Sequence, residues 1–113
     1  MSSDPALEAF RTLDVRVGTI LSADPLTGAR VPAYKIAVDL GSALGTRQSS
    51  AQVTKHYAPD DLVGIQVLCV VNFPPKRIAG FSSEVLILGL PDASGDVVLI
   101  RPERAVPNGG RLF

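Results

Sequence analysis

Apolar and polar positions alternate over several short stretches of the chain. Lys35–Leu40 alternates most clearly, and Val15–Leu21 does so around a glycine at position 18 that suggests a bend or bulge. A period of two is typical of strands with one buried face. Further predicted strands are the polar Thr46–Ser50, the two most apolar stretches Gln66–Asn72 and Ser83–Leu90, and a last strand at Val97–Arg101.

Two short helices are predicted between these strands. Asp4 can cap a helix in which Pro5 suits the first turn, while Leu7 and Phe10 give that helix one apolar edge. A second helix is predicted over 51–57, ending before a proline. The remaining segments are a loop at 24–32, turns at 41–45 and 91–95, and a Pro/Gly-rich tail at 102–113.

Several short strands with one small helix after the third predict an all-β protein. This layout is typical of the OB-fold, a five-stranded Greek-key barrel, here with a short N-terminal helix and a C-terminal extension. The chain of 113 residues is predicted to be a single domain spanning 1–113. Both ends are unusually apolar, which predicts a homodimer interface at Leu7, Phe10, Leu13, Val106, Leu112 and Phe113.

Composition narrows the class of protein further. Hydrophobic residues make up 46% of the chain, enough for a packed core. No apolar run approaches the roughly 20 residues that a spanning helix needs, so membrane insertion is not expected. The first residues lack the basic start and apolar stretch of a signal peptide, which favours the cytoplasm. The single cysteine, Cys69, lies in an apolar run and is interpreted as a buried structural thiol.

Charge is balanced overall but unevenly distributed. The net charge is zero, which argues against long-range attraction to polyanions. Cations outnumber anions between positions 30 and 81, while acidic residues gather towards both ends. This bias fits a local anion-binding face, and it fits ordinary solvated charges equally well. The cations concerned are Arg30, Lys35, Arg47, Lys55, Lys76 and Arg77.

Catalytic and metal-binding motifs are missing from the sequence. The stretch "GFSSE" lacks the second glycine of a nucleophile elbow, and "GSALGTR" lacks the Gly-Lys-Ser/Thr ending of a phosphate-binding loop. One histidine, His56, and one cysteine make no ligand cluster, and Asp60-Asp61 fits a solvated turn. The sequence therefore predicts a protein that is not an enzyme and needs neither metal nor cofactor.

The stretch "NFPPKRIAGFSSEVLIL" contains prolines, cations and phenylalanines that a plain turn between two apolar strands does not need. Its two prolines end the preceding strand and stiffen the connection. Lys76 and Arg77 would then extend from a rigid loop, next to an apolar patch of Phe73, Ile78 and Phe81. Cations of this kind contact phosphates, and aromatic rings stack on exposed bases. The alternative is that the apolar residues close the barrel and the cations are merely solvated.

This stretch resembles the motif of the tRNA-binding OB domains that occur in tRNA-binding protein and in appendages of some aminoacyl-tRNA synthetases. The matching residues are Asn72, Pro75, Lys76, Arg77, Ile78, Gly80, Ser83 and Glu84. The resemblance implies tRNA binding through Arg47, Asn72, Lys76, Arg77, Ser83 and Glu84. The chain departs from that family at Ala51-Gln52 and Ala79, and it carries fewer cations.

Several blocks in order are similar to the CsaA branch of this family, small bacterial chaperones related to secretion. These blocks are "ARVPAYKI", "RQSSAQVTKHY", "VVNFPPKRIAGFSSEVL", "GDVVL" and "VPNG". The resemblance implies a cytoplasmic homodimer without a cofactor that binds unfolded or precursor polypeptides and is linked to the export machinery. Residues that could form an apolar peptide pocket, or could equally belong to the core, are Val53, Tyr57, Phe73, Pro74, Ile78 and Phe81, with Ser49 and Ser50 as hydrogen-bond partners of the peptide backbone.

Overall fold

A computed structural model describes residues 4–113 and shows a mostly β protein with three short helices among them. The helices are Pro5–Thr12 (α1), Gly41–Leu44 (α2) and Pro59–Leu62 (α3). The strands are Val15–Pro25 (β1), Tyr34–Asp39 (β2), Thr46–Ala51 (β3), Gln66–Val70 (β4), Lys76–Ile78 (β5), Phe81–Ser83 (β6), Leu86–Ile87 (β7), Gly89–Pro91 (β8) and Val97–Leu99 (β9).

Five antiparallel strands form a nearly closed barrel in the order β3-β2-β1-β4-β7. The seam beside β3 is closed by backbone hydrogen bonds, because the N–H groups of Glu84 and Val85 both donate to the Gln48 carbonyl oxygen. The interior is apolar, and its largest fully buried side chains include Ile20, Ile36, Leu40, Leu62, Val38 and Val67. The predicted all-β, OB-type barrel with a short N-terminal helix is confirmed.

The strand β1 bends at a register shift between Ile20 and Ser22. The expected irregularity is therefore present, but it lies after the glycine that suggested it. Gly18 has another role, since a Cβ there would stand 2.5 Å from a Val38 methyl carbon and 2.8 Å from the Asp39 oxygen. Only glycine allows β2 to approach β1 this closely.

The prediction of a helix over 51–57 is wrong. Residues 54–56 form a turn instead, and Tyr57 follows it. The Tyr57 hydroxyl accepts a hydrogen bond from the Leu99 N–H (3.0 Å), and its carbonyl oxygen accepts one from the Tyr34 hydroxyl (2.7 Å). Pro59 begins α3 instead of ending a helix, as its fixed φ and missing N–H permit. The Asp61 carboxylate accepts from the Ala58 N–H at 2.9 Å and stabilises that start.

The predicted strand Ser83–Leu90 is divided among β6, β7 and β8. It breaks after β6 because the side chains of Ser83 and Glu84 bond to the backbone of β3, as described below. The hairpin of β5 and β6 is not predicted by alternation, since each of its strands has only three residues. Its two-residue turn, Ala79-Gly80, has positive φ at both positions, +51° and +77°.

The N-terminal helix and the C-terminal tail lie side by side on the barrel. Asp4 caps α1 by accepting from the N–H groups of Ala6 and Leu7 at 2.8 and 3.3 Å. The tail joins β1 through a bridge between Arg16 and Arg111. None of the side chains of α1 is buried. Across the described part of the chain, no helix has the length and apolar character that crossing a membrane would require.

Cys69 lies fully buried in β4, as expected for a structural thiol. Burial disfavours its charged form and raises the pKa of the thiol to about 12. The thiolate is the reactive form of cysteine, so this residue contributes packing and not chemistry.

Candidate functional site

The hairpin of β5 and β6 is fixed to the outer edge of β3 by side chains. The Ser83 hydroxyl accepts from the Ser50 N–H at 2.9 Å, and a Glu84 carboxylate oxygen accepts from the Gln48 N–H at 3.0 Å. In return, the Gln48 side-chain amide donates to the Ser82 carbonyl oxygen at 3.0 Å. These bonds satisfy β3 where a neighbouring strand is missing. They also hold the hairpin in one orientation.

An apolar groove of about 350 Å³ opens between this hairpin, the end of β3 and the ribbon of β8 and β9. Its apolar walls come from Val53, Phe73, Pro74, Ile78, Ile87 and Val97. Phe73 is 45% exposed, which is unusual for a phenylalanine, and it is not part of the core. Polar groups at the rim include Ser50, Gln52 and Lys76. We call this surface the apolar groove.

A second depression of similar volume, about 350 Å³, lies on the other side of the same hairpin strand. Three cations surround it: Lys76 and Arg77 from β5, and Arg30 from the loop between β1 and β2. All three residues are exposed. Arg77 donates to the Gly80 carbonyl oxygen at 3.1 Å, which directs its guanidinium along the hairpin. We call this surface the basic cleft.

The apolar groove and the basic cleft are neighbours that share part of their walls. Ser50, Gln52, Lys76 and Ile78 line both of them. An extended ligand that places an apolar group in the groove therefore brings its adjoining segment to the cations of the cleft. A basic rim favours acidic or phosphorylated neighbours of that apolar group.

The structure divides the predicted peptide-binding residues into two groups. Ser50, Val53, Phe73, Pro74 and Ile78 do line the apolar groove. Ser49, Tyr57 and Phe81 do not. Of the five that do, Val53 is 3% exposed and forms part of the groove floor and of the core at once.

The prediction that Ser49 bonds to a peptide is wrong, because this residue is fully buried and its hydroxyl donates to the Ser50 carbonyl oxygen at 3.1 Å. Tyr57 is packed against the core with its hydroxyl already bonded to β9, so it braces the barrel. Phe81 is partly exposed but lines a different, shallower depression with Lys35 and Gln48.

The predicted RNA-binding residues also separate. Lys76 and Arg77 line the basic cleft. Ser83 and Glu84 lie at the groove, but their side chains bond to β3. Arg47 lies on the face of β3 opposite to Gln48, because side chains alternate along a strand, and it donates to the Leu44 carbonyl oxygen at 3.3 Å.

Asn72 lies outside the groove and the cleft and joins α1 to the barrel. Its side-chain oxygen accepts from the Asp14 N–H at 2.9 Å, and its amide donates to the Thr12 carbonyl oxygen at 2.8 Å. Both ends of the side chain are therefore engaged within the chain. These bonds give Asn72 a structural role at the end of α1, and its contact with RNA stays a prediction.

Four of the six predicted dimer residues line one exposed depression of about 440 Å³, which we call the terminal groove. They are Leu7 and Phe10 from α1 and Leu112 and Phe113 from the tail, with Arg11 and Arg111 beside them. Leu13 and Val106 are exposed, 36% and 41%, but lie outside it. The fold therefore joins the two apolar ends of the chain into one surface.

Sequence reasoning missed two features. The sequence places Arg30 among the cations of the middle segment but does not assign it to a binding site. The reason is that the hairpin beside its loop is not predicted. His56 was judged to have no companion, yet its Nε2 lies 2.6 Å from Oδ2 of Asp92, and Asp96 is close to both. The acidic pair frames the turn of the β8–β9 ribbon, so only the fold reveals its position beside the histidine.

Comparison with known proteins shows the family and the fold of the chain. Residues 15–111 match the family model described as "Putative tRNA binding domain". The structure of chaperone CsaA from Bacillus anthracis is similar with a TM-score of 0.88 and 53% identity, covering 100% of this chain and 99% of that one. The CsaA chaperone protein from Picrophilus torridus has a TM-score of 0.89 and 39% identity over the whole of both chains.

Longer relatives share only part of their length with this chain. A methionine--tRNA ligase of Porphyromonas gingivalis is 38% identical over 112 residues, which are 99% of this chain and 16% of the ligase. The chain thus spans about a sixth of the curated relatives that it matches.

Proposed function

Because the chain belongs to the CsaA-type branch of the tRNA-binding domain family, we propose that it is a chaperone that binds unfolded or precursor polypeptides. The proposal includes action in the cytoplasm and a link to protein export. In this proposal the chain binds its ligand and catalyses no reaction. The match to methionine--tRNA ligase does not argue for an enzyme, because it covers 16% of that enzyme. Two structures titled as CsaA chaperones that align over this whole chain support the proposal.

The apolar groove is the observation that carries the proposal. A polypeptide-binding chaperone needs exposed apolar surface that accepts many sequences, rimmed by polar groups. Phe73, Pro74 and Ile78 supply such a surface beside the polar Ser50 and Gln52. Burying one Leu-sized side chain there contributes about 1.5–3 kcal/mol, so a single groove binds weakly and releases its ligand readily.

The test is binding of a fluorescently labelled, permanently unfolded polypeptide to the purified chain, together with suppression of its aggregation. Phe73→Ser removes a groove wall that the core does not need, and we expect at least about a fivefold loss of affinity. Leu21→Ser is the matched control, because Leu21 is 49% exposed and lies outside the groove. Absence of polypeptide binding, or equal loss in both variants, contradicts the proposal.

A second function, structure-selective tRNA binding, is favoured by the basic cleft. Lys76 and Arg77 are exposed on a hairpin held rigidly by Ser83 and Glu84, with Arg30 facing them. Among residues 4–113, Lys76 has no hydrogen bond or ion pair that would occupy its ammonium group. Fixed, unpaired cations of this kind position phosphates.

The tRNA function is tested by filter binding of bulk tRNA over a series of salt concentrations. We expect the Lys76→Ala/Arg77→Ala variant to lose most of its affinity for tRNA. The slope of log affinity against log salt concentration should decrease by the contribution of about two phosphate contacts. Lys55→Ala, an exposed cation outside the cleft, is the control. Unchanged binding in the double variant excludes the basic cleft as the tRNA site.

We further propose that the terminal groove is covered by a second copy of the chain. Phe113 is fully exposed in the single chain, and Leu7 and Phe10 are 45% and 43% exposed beside it. An eight-residue helix with no buried side chain gains little from its own hydrogen bonds. Sedimentation should show a dimer that Phe10→Asp dissociates and Leu21→Asp does not, whereas a wild-type monomer at micromolar concentration contradicts this.

A further inference from the structure

His56, Asp92 and Asp96 bring three metal-ligating groups together away from the groove and the cleft. One nitrogen of the imidazole and one oxygen of each carboxylate all lie within 4.8 Å of one another. The histidine belongs to the turn that follows β3, and the carboxylates belong to the turn between β8 and β9. Two separate segments of the fold therefore contribute to one cluster.

The spacing of these atoms suits a small divalent ion. Bonds of 2.0–2.2 Å in a tetrahedral zinc site place the ligand atoms about 3.4 Å apart. The distance from His56 Nε2 to Asp92 Oδ2 is now 2.6 Å, and the widest separation in the cluster is at most 4.8 Å. The required spacing lies between these values. The side chains of His56 and Asp92 are 42% and 28% exposed, so they can rotate and water can complete the coordination.

Asp92 is already oriented as a ligand. Its Oδ1 accepts from the N–H groups of Ser94 and Asp96 at 2.8 and 2.9 Å, which leaves Oδ2 directed at the histidine. Two carboxylates together balance the charge of a divalent cation, and the imidazole adds a nitrogen ligand.

We propose that His56, Asp92 and Asp96 form a binding site for one divalent transition-metal ion of the Zn²⁺ class. Imidazole nitrogen favours Zn²⁺, Co²⁺ and Ni²⁺ over Mg²⁺ and Ca²⁺, which prefer oxygen ligands. The ion replaces the hydrogen bond between His56 and Asp92. It also cross-links two segments that wall the apolar groove, because Val97 follows Asp96 directly and Val53 precedes the turn that carries His56.

The test uses the full chain without a histidine tag, titrated with ZnCl₂ in a calorimeter and with CoCl₂ in an absorption spectrometer. His56 is the single histidine of the chain, and Cys69 is buried, so a signal that depends on imidazole belongs to this site. We expect one ion per chain, a higher melting temperature with Zn²⁺, and no such rise with equal Mg²⁺. His56→Gln and Asp96→Asn should each weaken Zn²⁺ binding at least about tenfold.

Asp60→Asn is the matched control, because Asp60 is an exposed carboxylate of α3 outside the cluster, and it should leave Zn²⁺ binding unchanged. Far-ultraviolet circular dichroism of each variant shows that the chain is folded. The proposal is overturned if the folded wild type takes up no ion in a saturable one-to-one manner. It is equally overturned if His56→Gln binds Zn²⁺ as the wild type does.

Discussion

At the scale of single residues, the family motif contains two kinds of side chain. Asn72, Ser83 and Glu84 make hydrogen bonds within the chain, each to a backbone N–H at 2.9–3.0 Å. Lys76 and Arg77 face solvent in the basic cleft. Ser83 and Glu84 thus anchor the hairpin to β3, and Asn72 anchors the end of α1, while the two cations remain available to a ligand. A motif match alone does not separate these roles.

Asn72→Ala tests the structural role. The variant leaves the Asp14 N–H and the Thr12 carbonyl oxygen to water, so we expect the free energy of unfolding to fall by about 1–2 kcal/mol, with little change in tRNA affinity. Urea denaturation and filter binding measure the two quantities, and Thr27→Ala, on an exposed loop, is the control. A normal stability with a large loss of tRNA affinity would restore Asn72 to the RNA site.

Asp14 makes the stability of the chain depend on pH. Its carboxylate lies 2.6 Å from Arg16 Nε and 3.6 Å from Arg111 Nε. The hydrogen bond from Arg16, aided by the charge of both arginines, holds the pKa of Asp14 below its ordinary value of 3.8. A carboxyl group whose pKa is lowered by folding stabilises the protein above its unfolded pKa. That contribution disappears as the pH falls through the folded value.

Asp14→Asn should therefore abolish part of the acid dependence. We expect the difference in unfolding free energy between wild type and variant to be constant above the ordinary pKa and to shrink below it. Urea denaturation at a series of pH values from neutral to strongly acidic measures this, with Asp60→Asn as the control carboxylate. Parallel curves for wild type and Asp14→Asn at every pH would show that Asp14 contributes nothing to acid stability.

At the scale of secondary structure, alternation predicted the barrel strands well. β2 and β3 begin and end within about one residue of the predicted stretches, and β2 has the clear buried face that alternation indicates. The hairpin of β5 and β6 was not predicted, because a three-residue strand has too few positions to show an alternation of apolar and polar residues. The predicted second helix is wrong because a proline can either follow a helix or begin one, and Pro59 lies in the first turn of α3.

Ala79 is strained in the turn of that hairpin. Its φ of +51° is the one positive value among the non-glycine residues in the described part of the chain. With Gly80 also positive, the two-residue turn has the φ signs of type I′, which favours Asn-Gly. Asn tolerates this conformation better than Ala, so Ala79→Asn should raise the free energy of unfolding by about 0.5–1 kcal/mol.

Thermal and urea denaturation measure the gain from Ala79→Asn. Ala93→Asn is a suitable control, because Ala93 is an exposed alanine in the other ribbon turn and its φ is not positive. A loss of stability in Ala79→Asn would mean that the turn does not keep this conformation in solution.

At the scale of the whole molecule, the binding surfaces depend on contacts between distant parts of the chain. Arg30 meets Lys76 and Arg77 only because the loop after β1 lies beside the hairpin. His56 meets Asp92 across 36 residues. Local patterns carry no information about such pairings, so the sequence indicated the residue types of the site but not their grouping.

The walls that the apolar groove and the basic cleft share predict competition between the two proposed ligands. Both use Ser50, Gln52, Lys76 and Ile78, so a bound polypeptide and a bound tRNA would overlap. We expect bulk tRNA to displace a labelled unfolded polypeptide at fixed salt. In the Lys76→Ala/Arg77→Ala variant, that displacement should be lost while polypeptide binding is largely kept. Simultaneous binding of both ligands to one chain would contradict a shared surface.

Mapping by nuclear magnetic resonance shows whether the apolar groove binds unfolded polypeptide. The ¹⁵N-labelled chain is titrated with a permanently unfolded polypeptide, and the amide signals are followed residue by residue. If the groove binds polypeptide, we expect saturable shifts of the amide signals of Ser50, Gln52, Ile78 and Val97. The signals of Leu21 and Val63 should not shift. Shifts confined to other surfaces, or no shifts at saturating polypeptide, would contradict polypeptide binding in the groove.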